Sequence, residues 1–121
     1  MSGRAWGGVA VLGGLGAVAR VLVATSVSVR MPSAFPLGTF VVNVSGAFLL
    51  GLVAGLGAGG DAYRLAGIAF LGSYTTFSAW MLETRLLKES GKGRIAFSYV
   101  AFSVTVGLAA VALGRFAGTQ L

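Results

Sequence analysis

The sequence predicts an all-α integral membrane protein built as one domain of four hydrophobic helices. Of its 121 residues, 56% are hydrophobic and 10% are charged, a balance far from that of soluble domains. The mean hydropathy is +0.90. A helix needs about 20 apolar residues to cross a bilayer, and four such stretches leave room only for short turns. We assign the four spans to residues 6–29, 37–58, 65–87 and 95–116.

Turn-forming residues separate these spans. The first span ends before a segment that contains Pro32 and Pro36, and proline breaks helices. The second ends at the Gly-Gly-Asp sequence at 59–61, which favours a turn, and the third ends at the polar run 88–93. No small-residue cleavage site precedes Arg20, so we expect the first span to be retained rather than removed as a signal peptide.

The positive charges give a weak signal for orientation. Five Lys and Arg residues flank the turns after the first and third spans, and three flank the termini and the remaining turn. Because Lys and Arg favour the cytoplasmic side, this bias mildly favours termini on the outside. A protein that inserts in both orientations would have the same weak bias. The five are Arg30, Arg85, Lys88, Lys92 and Arg94, and the three are Arg4, Arg64 and Arg115.

The composition excludes most enzyme chemistry. The chain has no Cys and no His, which removes thiol catalysis, disulfides, imidazole acid–base catalysis and most zinc or haem sites. Its Ser and Thr residues have no evident base to activate them, so no enzymatic activity is expected. The net charge of +6 favours an anionic solute and anionic lipid headgroups as partners. The basic residues are too scattered for a nucleic-acid site.

Small residues recur at helical spacing in three of the spans. Residues four apart lie on one side of a helix, and stripes of small residues let helix backbones approach closely. We therefore predict that these stripes pack helices within the chain or between subunits. The stripes are Asn43, Ala47, Gly51, Gly55 and Gly59 in the second span, Gly13 and Ala17 in the first, and Gly107, Ala110 and Gly114 in the fourth.

The third span contains an unusual polar stretch, Gly72-Ser73-Tyr74-Thr75-Thr76-Phe77-Ser78. Hydroxyl side chains can bond to carbonyls of their own helix, so one interpretation is a bent but continuous span. The other is a break near the membrane centre, which is tolerated only where it is buried in protein or lines a cavity. Such a break exposes carbonyls that suit a small cation and amides that suit an anion.

Three further polar groups lie inside apolar spans. Arg20 is too costly to expose to lipid at mid-span, so it should face water or a partner. A buried Asn43 amide needs hydrogen-bond partners. Glu83 lies near the end of the third span, where it is either an interfacial charge beside Arg85 or part of a solute pathway.

The ordered set of motifs in the first three spans resembles the Fluc (CrcB) family of fluoride-specific ion channels. The motifs are GGLGAVAR at 13–20, PLGTFVVNVSG at 36–46, and GSYTTFS at 72–78 followed by Glu83. Each motif alone is weakly specific, whereas the ordered set is quite specific. The resemblance extends over all four spans.

The resemblance implies a dual-topology dimer of two antiparallel four-helix chains, with two narrow fluoride pathways and one central, structural sodium ion. Backbone carbonyls of Gly72 and Thr75 from both subunits would hold the sodium at a break in the third helix, near the membrane centre. The implied function is passive, fluoride-selective export across the cell membrane, which lowers cytoplasmic fluoride. The implied fluoride pathway consists of Arg20, Thr39, Asn43, Phe77, Ser78, Trp80, Glu83, Tyr99 and Ser103.

The chemistry of these side chains agrees with that implied pathway. Fluoride is small and strongly hydrated, so a pathway must replace its water with compact donors. The amide of Asn43 and the hydroxyls of Thr39 and Ser103 are donors of this kind. Aromatic ring edges are electropositive, and the rings of Phe77 and Trp80 could line the same track while excluding water.

Three positions depart from the family's usual pattern, and they leave alternatives open. Trp80 stands where Phe is usual, Ala79 where Thr is usual, and Gly107 where a pore-side Ser can occur. One alternative is a partner-dependent or non-conducting subunit that forms a heterodimer with an oppositely oriented homologous chain. Another is a small dual-topology multidrug transporter, but that class needs a buried Glu in the first span, and this chain has no acid before Asp61.

Overall fold

The computed structural model describes residues 3–57 and 64–121, and every regular element in those ranges is helical. The predicted turn at 59–61 and the predicted end of the second span at Ala58 lie outside the described residues. The elements in chain order are α1 (Gly3–Arg30), α2 (Leu37–Gly55), a π-helix (Arg64–Leu71), α3 (Gly72–Tyr74), α4 (Phe77–Glu89) and α5 (Gly93–Gln120).

Three helices, α1, α2 and α5, are each long and apolar enough to cross a membrane. The predicted first and fourth spans each lie within one of them, α1 and α5 respectively. Large apolar side chains on these two helices point outward, and Val29 is 72% exposed and Phe97 76% exposed. Exposed apolar surface of this extent suits lipid or a protein partner rather than water. The helices therefore have the outer surface expected of a membrane protein.

The helix of the third predicted span is interrupted at Thr75 and Thr76. The π-helix and α3 run to Tyr74, and α4 begins at Phe77. Thr75 has φ −76° and ψ 157°, and Thr76 has φ −147° and ψ 121°, so both are extended. Each helical piece is shorter than a bilayer-spanning helix. That the third predicted span also crosses the membrane, and the depth at which its interruption lies, stay predictions.

Glycines bring the backbones of α2 and α5 into direct contact. A Cβ atom added to Gly51 or Gly55 would meet backbone atoms of Arg115, and one added to Gly114 or Gly118 would meet the backbone of α2. Close backbone approach of this kind is what small-residue stripes allow. Three of these four glycines belong to the predicted stripes, and Gly118 lies beyond the predicted end of the fourth span.

The remaining stripe glycines differ in their surroundings. A Cβ atom on Gly13 would lie 3.4 Å from the hydroxyl of Ser73, which is ordinary contact. Gly16, which was not part of a predicted stripe, packs α1 against the carbonyl of Phe70 in the π-helix. Gly107 has open space around it within the described part of the chain. Of the two glycines in the fourth-span stripe, Gly114 therefore packs α5 against α2, and Gly107 does not within the described residues.

A small buried core adjoins the interruption. Val42, Leu71 and Tyr74 form its centre, and none of them is more than 7% exposed. The hydroxyl of Ser45 lies 2.9 Å from that of Tyr74, so α2 is hydrogen-bonded to α3 as well as packed against it. This core holds α2 beside the interrupted helix and brings the polar side chains of α2 next to the break.

Candidate functional site

The side chain of Asn43 binds the backbone at the interruption. Its Nδ2 donates to the Thr76 carbonyl oxygen at 3.1 Å, and its Oδ1 accepts from the Thr76 amide at 2.9 Å. Asn43 lies on α2, 33 residues earlier in the chain, so this is a tertiary contact. A side-chain amide has one acceptor and two donors. Asn43 therefore pairs both backbone polar groups of Thr76, its N–H and its carbonyl, and keeps one N–H for another partner.

The two neighbouring threonines close the helix ends that meet at the interruption. Thr76 is the N-cap of α4, and its Oγ1 accepts from the Ala79 amide at 3.3 Å, which satisfies one of the amides that a helix start leaves unpaired. Thr75 donates its hydroxyl to the Leu71 carbonyl at 3.1 Å, in the last helical turn before the break. Thr76 thus caps the start of α4, whereas the Thr75 hydroxyl adds a second hydrogen bond to a Leu71 carbonyl that already accepts from the Thr75 amide.

Thr39, Glu83 and Tyr99 meet where α2, α4 and α5 come together. The Thr39 hydroxyl donates to Oε1 of Glu83 at 2.5 Å. Tyr99 is fully buried and lies beside Thr39, close enough to Glu83 to interact with it electrostatically. Arg85 forms its ion pair with Glu89, at 2.9 Å. Glu83 is therefore bonded to Thr39 on α2, whereas Arg85 pairs with Glu89.

Three buried polar atoms next to this cluster have no hydrogen-bond partner in the part of the chain that the structure describes. They are Nε1 of Trp80, the hydroxyl of Tyr99 and Oγ of Ser103. A three-residue turn at 90–92 joins α4 to α5, so the two helices run antiparallel. Since Glu83 lies near Tyr99, Trp80 and Ser103 each lie about one turn farther from that connection. We call Trp80, Glu83, Tyr99 and Ser103 the polar seam.

The two predicted pathway aromatics contact each other. The ring centroids of Phe77 and Trp80 are 5.8 Å apart, with the ring planes at 75°, so one ring presents its edge to the face of the other. Phe77 is 69% exposed in the single chain. Its ring therefore lies at the surface of the single chain, at the start of α4.

The Thr39–Glu83 bond joins the linings of two cavities. Thr39 lines a cavity of about 210 Å³ together with Arg20 and Thr76. Glu83 lines a cavity of about 470 Å³ beside the two connecting turns, with Lys92 among the residues around it. Arg20 thus lines a cavity to which Thr39 and Thr76 also contribute polar groups.

One residue of this arrangement, Thr76, was not singled out by the sequence analysis. A threonine directly before an apolar helix is a favoured N-cap, and this signal could have identified it. The hydroxyl contact between Ser45 and Tyr74 had no comparable signal, because it depends on how α2 packs on α3. The side chain of Ser78, which the sequence predicts to belong to the pathway, lies outside the described part of the structure.

The chain matches the family described as CrcB-like protein, Camphor Resistance (CrcB), over residues 8–115. The chain belongs to the CrcB family. The interruption and the polar seam of this CrcB chain both lie inside the matched range. Together with the three apolar helices of membrane-spanning length, membership of the family makes it a multi-pass membrane protein.

Similar proteins from several bacteria are named fluoride-specific ion channels. FluC 2 of Mycobacterium tuberculosis is 50% identical to this CrcB chain over 111 residues, which cover 92% of the chain and 88% of that protein. FluC 2 of Symbiobacterium thermophilum is 46% identical over 113 residues, covering 89% and 92%. FluC 1 of the same organism is 41% identical over 119 residues, covering 93% and 96%.

Proposed function

We propose that this CrcB-family chain is a fluoride-selective channel that lets fluoride leave the cell passively and so lowers fluoride in the cytoplasm. Its relatives in Mycobacterium tuberculosis and Symbiobacterium thermophilum are named fluoride-specific ion channels. Those names also support a channel rather than an enzyme, in agreement with a sequence that has no His and no Cys.

The observation that carries this proposal is the set of unpaired donors in the polar seam. Trp80, Tyr99 and Ser103 each bury a polar hydrogen that makes no hydrogen bond to the described residues. A buried donor without a partner costs about 1–3 kcal/mol, so three of them together are expensive. A fluoride ion passing along the seam would supply the missing acceptor, because a dehydrated anion accepts hydrogen bonds from several donors at once.

The surrounding groups fit the passage of an anion. Arg20 lines the cavity on the Thr39 side and would raise the local concentration of anions there. Asn43 keeps one free N–H beside the interruption. The edge-to-face pair of Phe77 and Trp80 offers electropositive ring edges at the start of the seam. We propose that fluoride moves past these groups between the two cavities.

A structural sodium ion at the interruption is part of the proposal. Among the residues at 3–57 and 64–121, no group of three or more His, Cys, Asp or Glu side chains could hold a metal. A hard cation would therefore depend on carbonyl oxygens, as at other broken membrane helices. Gly72 begins α3 and Thr75 begins the interruption, and their backbone carbonyls fit this role. When bound, the ion would supply fixed positive charge close to the anion's path.

We propose that two antiparallel chains of four spans each form the channel. Phe77 is 69% exposed in the single chain and Gly72 is exposed as well. A partner chain would cover the ring and would contribute the second pair of sodium-binding carbonyls. Symbiobacterium thermophilum has two related proteins, FluC 1 and FluC 2, which supports a heterodimer as the alternative to a homodimer.

Fluoride efflux from reconstituted vesicles tests this function. Liposomes that carry the purified chain, alone or with an oppositely oriented homologous chain, should release fluoride and retain chloride. Purification with and without sodium tests the structural ion in the same assay. Equal release of both halides, or release of neither by intact dimers, would defeat the proposal. Flux from the chain alone would exclude an obligatory second chain.

A further inference from the structure

We infer that the side chains of Asn43 and Thr76 keep the proposed sodium site open by binding the two backbone amides that would otherwise cover its carbonyl oxygens. This inference rests on the sodium site proposed above. Asn43 and Thr76 are positioning residues in this role, since they act through the backbone and not as ligands of the ion.

The first of these two backbone amides is that of Thr76. In an α-helix the N–H of each residue bonds to the carbonyl four residues earlier, so an unbroken helix would pair the Thr76 N–H with the Gly72 oxygen. In the structure that N–H donates to Oδ1 of Asn43 at 2.9 Å. Asn43 Nδ2 also holds the Thr76 carbonyl, at 3.1 Å, which fixes the peptide in its extended conformation. The Gly72 oxygen therefore loses its helical donor to a side chain of α2.

The second of these two backbone amides is that of Ala79. An unbroken helix would pair its N–H with the Thr75 carbonyl. In the structure the Ala79 N–H donates to Oγ1 of Thr76 at 3.3 Å. Thr75 itself has ψ 157°, which turns its carbonyl out of the helical direction. The Thr75 oxygen therefore does not accept the Ala79 N–H, because the side chain of Thr76, the N-cap of α4, binds that N–H instead.

These two amides are the helical partners of the two carbonyls to which the sodium is assigned. A buried amide must have an acceptor, and Thr76 is only 8% exposed, so water is a poor substitute there. Without the two side chains, each amide would return to its carbonyl, and the helix would compete with the cation for the same oxygens. Asn43 and Thr76 remove that competition before any ion binds.

Substitution of Thr76 tests the inference. Thr76→Val keeps the shape of the side chain and removes the acceptor for Ala79, while Thr76→Ser restores it. Thr84→Val is a matched control, because the Thr84 hydroxyl donates to the Trp80 carbonyl on the same helix and captures no amide. The readout is the amount of sodium that the purified protein retains after dialysis into sodium-free buffer, measured by atomic emission. Fluoride efflux is measured on the same variants.

We expect Thr76→Val to weaken sodium retention about tenfold or more, while Thr76→Ser and Thr84→Val retain sodium as the unchanged protein does. Equal retention in Thr76→Val and Thr84→Val would overturn the inference. So would a loss of sodium in Thr76→Val that Thr76→Ser fails to restore, because the hydroxyl would then not be the cause.

Hydrogen exchange on the unchanged protein gives a second test that needs no variant. If side chains capture the Thr76 and Ala79 amides, both amides should stay protected from exchange after sodium is removed. Protection that disappears with the ion would mean that the side chains of Asn43 and Thr76 do not hold these amides without it, and the inference would fall. Unchanged protein that conducts fluoride but holds no sodium would overturn both the sodium site and this inference, while leaving the channel function intact.

Discussion

Thr39 on α2 and Glu83 on α4 are joined by a 2.5 Å hydrogen bond, which fixes the position of the carboxylate in the polar seam. Glu83 is partly buried and lies close to Tyr99. Arg85 is bonded to Glu89, so Thr39 supplies the hydrogen-bond donor that holds Glu83. The bond therefore decides where negative charge lies relative to the unpaired donors of the seam.

Replacing Thr39 by valine keeps its shape and removes the donor to Glu83. A partly buried carboxylate that loses its donor costs about 1–3 kcal/mol, so we expect the free energy of unfolding in detergent to fall by about that amount. Fluoride efflux should fall as well, because the carboxylate is no longer held against α2. Thr39→Ser should recover both quantities.

The control for this prediction is Thr119→Val. The exposed hydroxyl of Thr119 donates to the Phe116 carbonyl at the end of α5, so its loss should change the unfolding free energy by no more than about 0.5 kcal/mol. If Thr39→Val and Thr119→Val have equal effects on efflux and stability, the Thr39–Glu83 bond has no special role.

Ser103→Ala should separate stability from conduction. Oγ of Ser103 is buried without a partner among the described residues, and removing such a group abolishes its desolvation cost. We expect the unfolding free energy to stay the same or to rise by about 1 kcal/mol. Fluoride efflux should nevertheless slow, because the anion loses one donor.

Ser45→Ala is the contrasting variant for stability. The hydroxyl of Ser45 bonds to the Val42 carbonyl and contacts the Tyr74 hydroxyl, so its removal should lower the unfolding free energy by about 0.5–1.5 kcal/mol. Faster or unchanged efflux in Ser103→Ala would show that Ser103 does not donate to the passing ion.

The sequence could predict the long apolar helices but not the state of the third span. Hydropathy alone identifies α1, α2 and α5, because each is a continuous apolar run. The stretch 72–78 allowed either a bent helix or a break, since threonine hydroxyls can bond within a helix. Thr75 does bond in that way. The N-cap residue Thr76 gives a local signal for a helix start, but the break also involves Asn43, which reaches Thr76 from 33 residues away, and no local pattern reports that contact.

The helix contacts were predictable in kind but not in position. Spacing of four identified the glycines that pack α2 on α5, because small residues on one side of a helix allow close approach. The same spacing could not tell Gly114, which contacts α2, from Gly107, which has open space around it among the described residues. That difference arises from where the two helices cross.

Gly114→Ala should destabilise the protein. A Cβ atom at this position would meet the Phe48 carbonyl oxygen, so α2 and α5 must separate, at a cost of about 1–3 kcal/mol. Gly107→Ala makes the same substitution on the same helix, at a position where no described atom beyond the adjoining helix backbone lies within 4 Å of the added Cβ. It should leave the unfolding free energy unchanged or raise it, because alanine favours helix over glycine by about 1 kcal/mol. Equal stability of the two variants would contradict the close contact of α2 and α5.

Asn43→Asp tests whether the anion passes the interruption. The substituted oxygen can still accept from the Thr76 amide, but the second oxygen faces the Thr76 carbonyl in place of the donor Nδ2. A negative charge would also lie beside the proposed path, where repulsion at about 4 Å amounts to a few kcal/mol in a protein-like medium. We expect fluoride efflux to fall about tenfold or more, since about 1.4 kcal/mol in a barrier suffices for that change. Gln120→Glu makes the same chemical change, from amide to carboxylate, at an exposed position near the C-terminus, and this control should conduct normally. Undiminished efflux in Asn43→Asp would remove Asn43 from the proposed pathway.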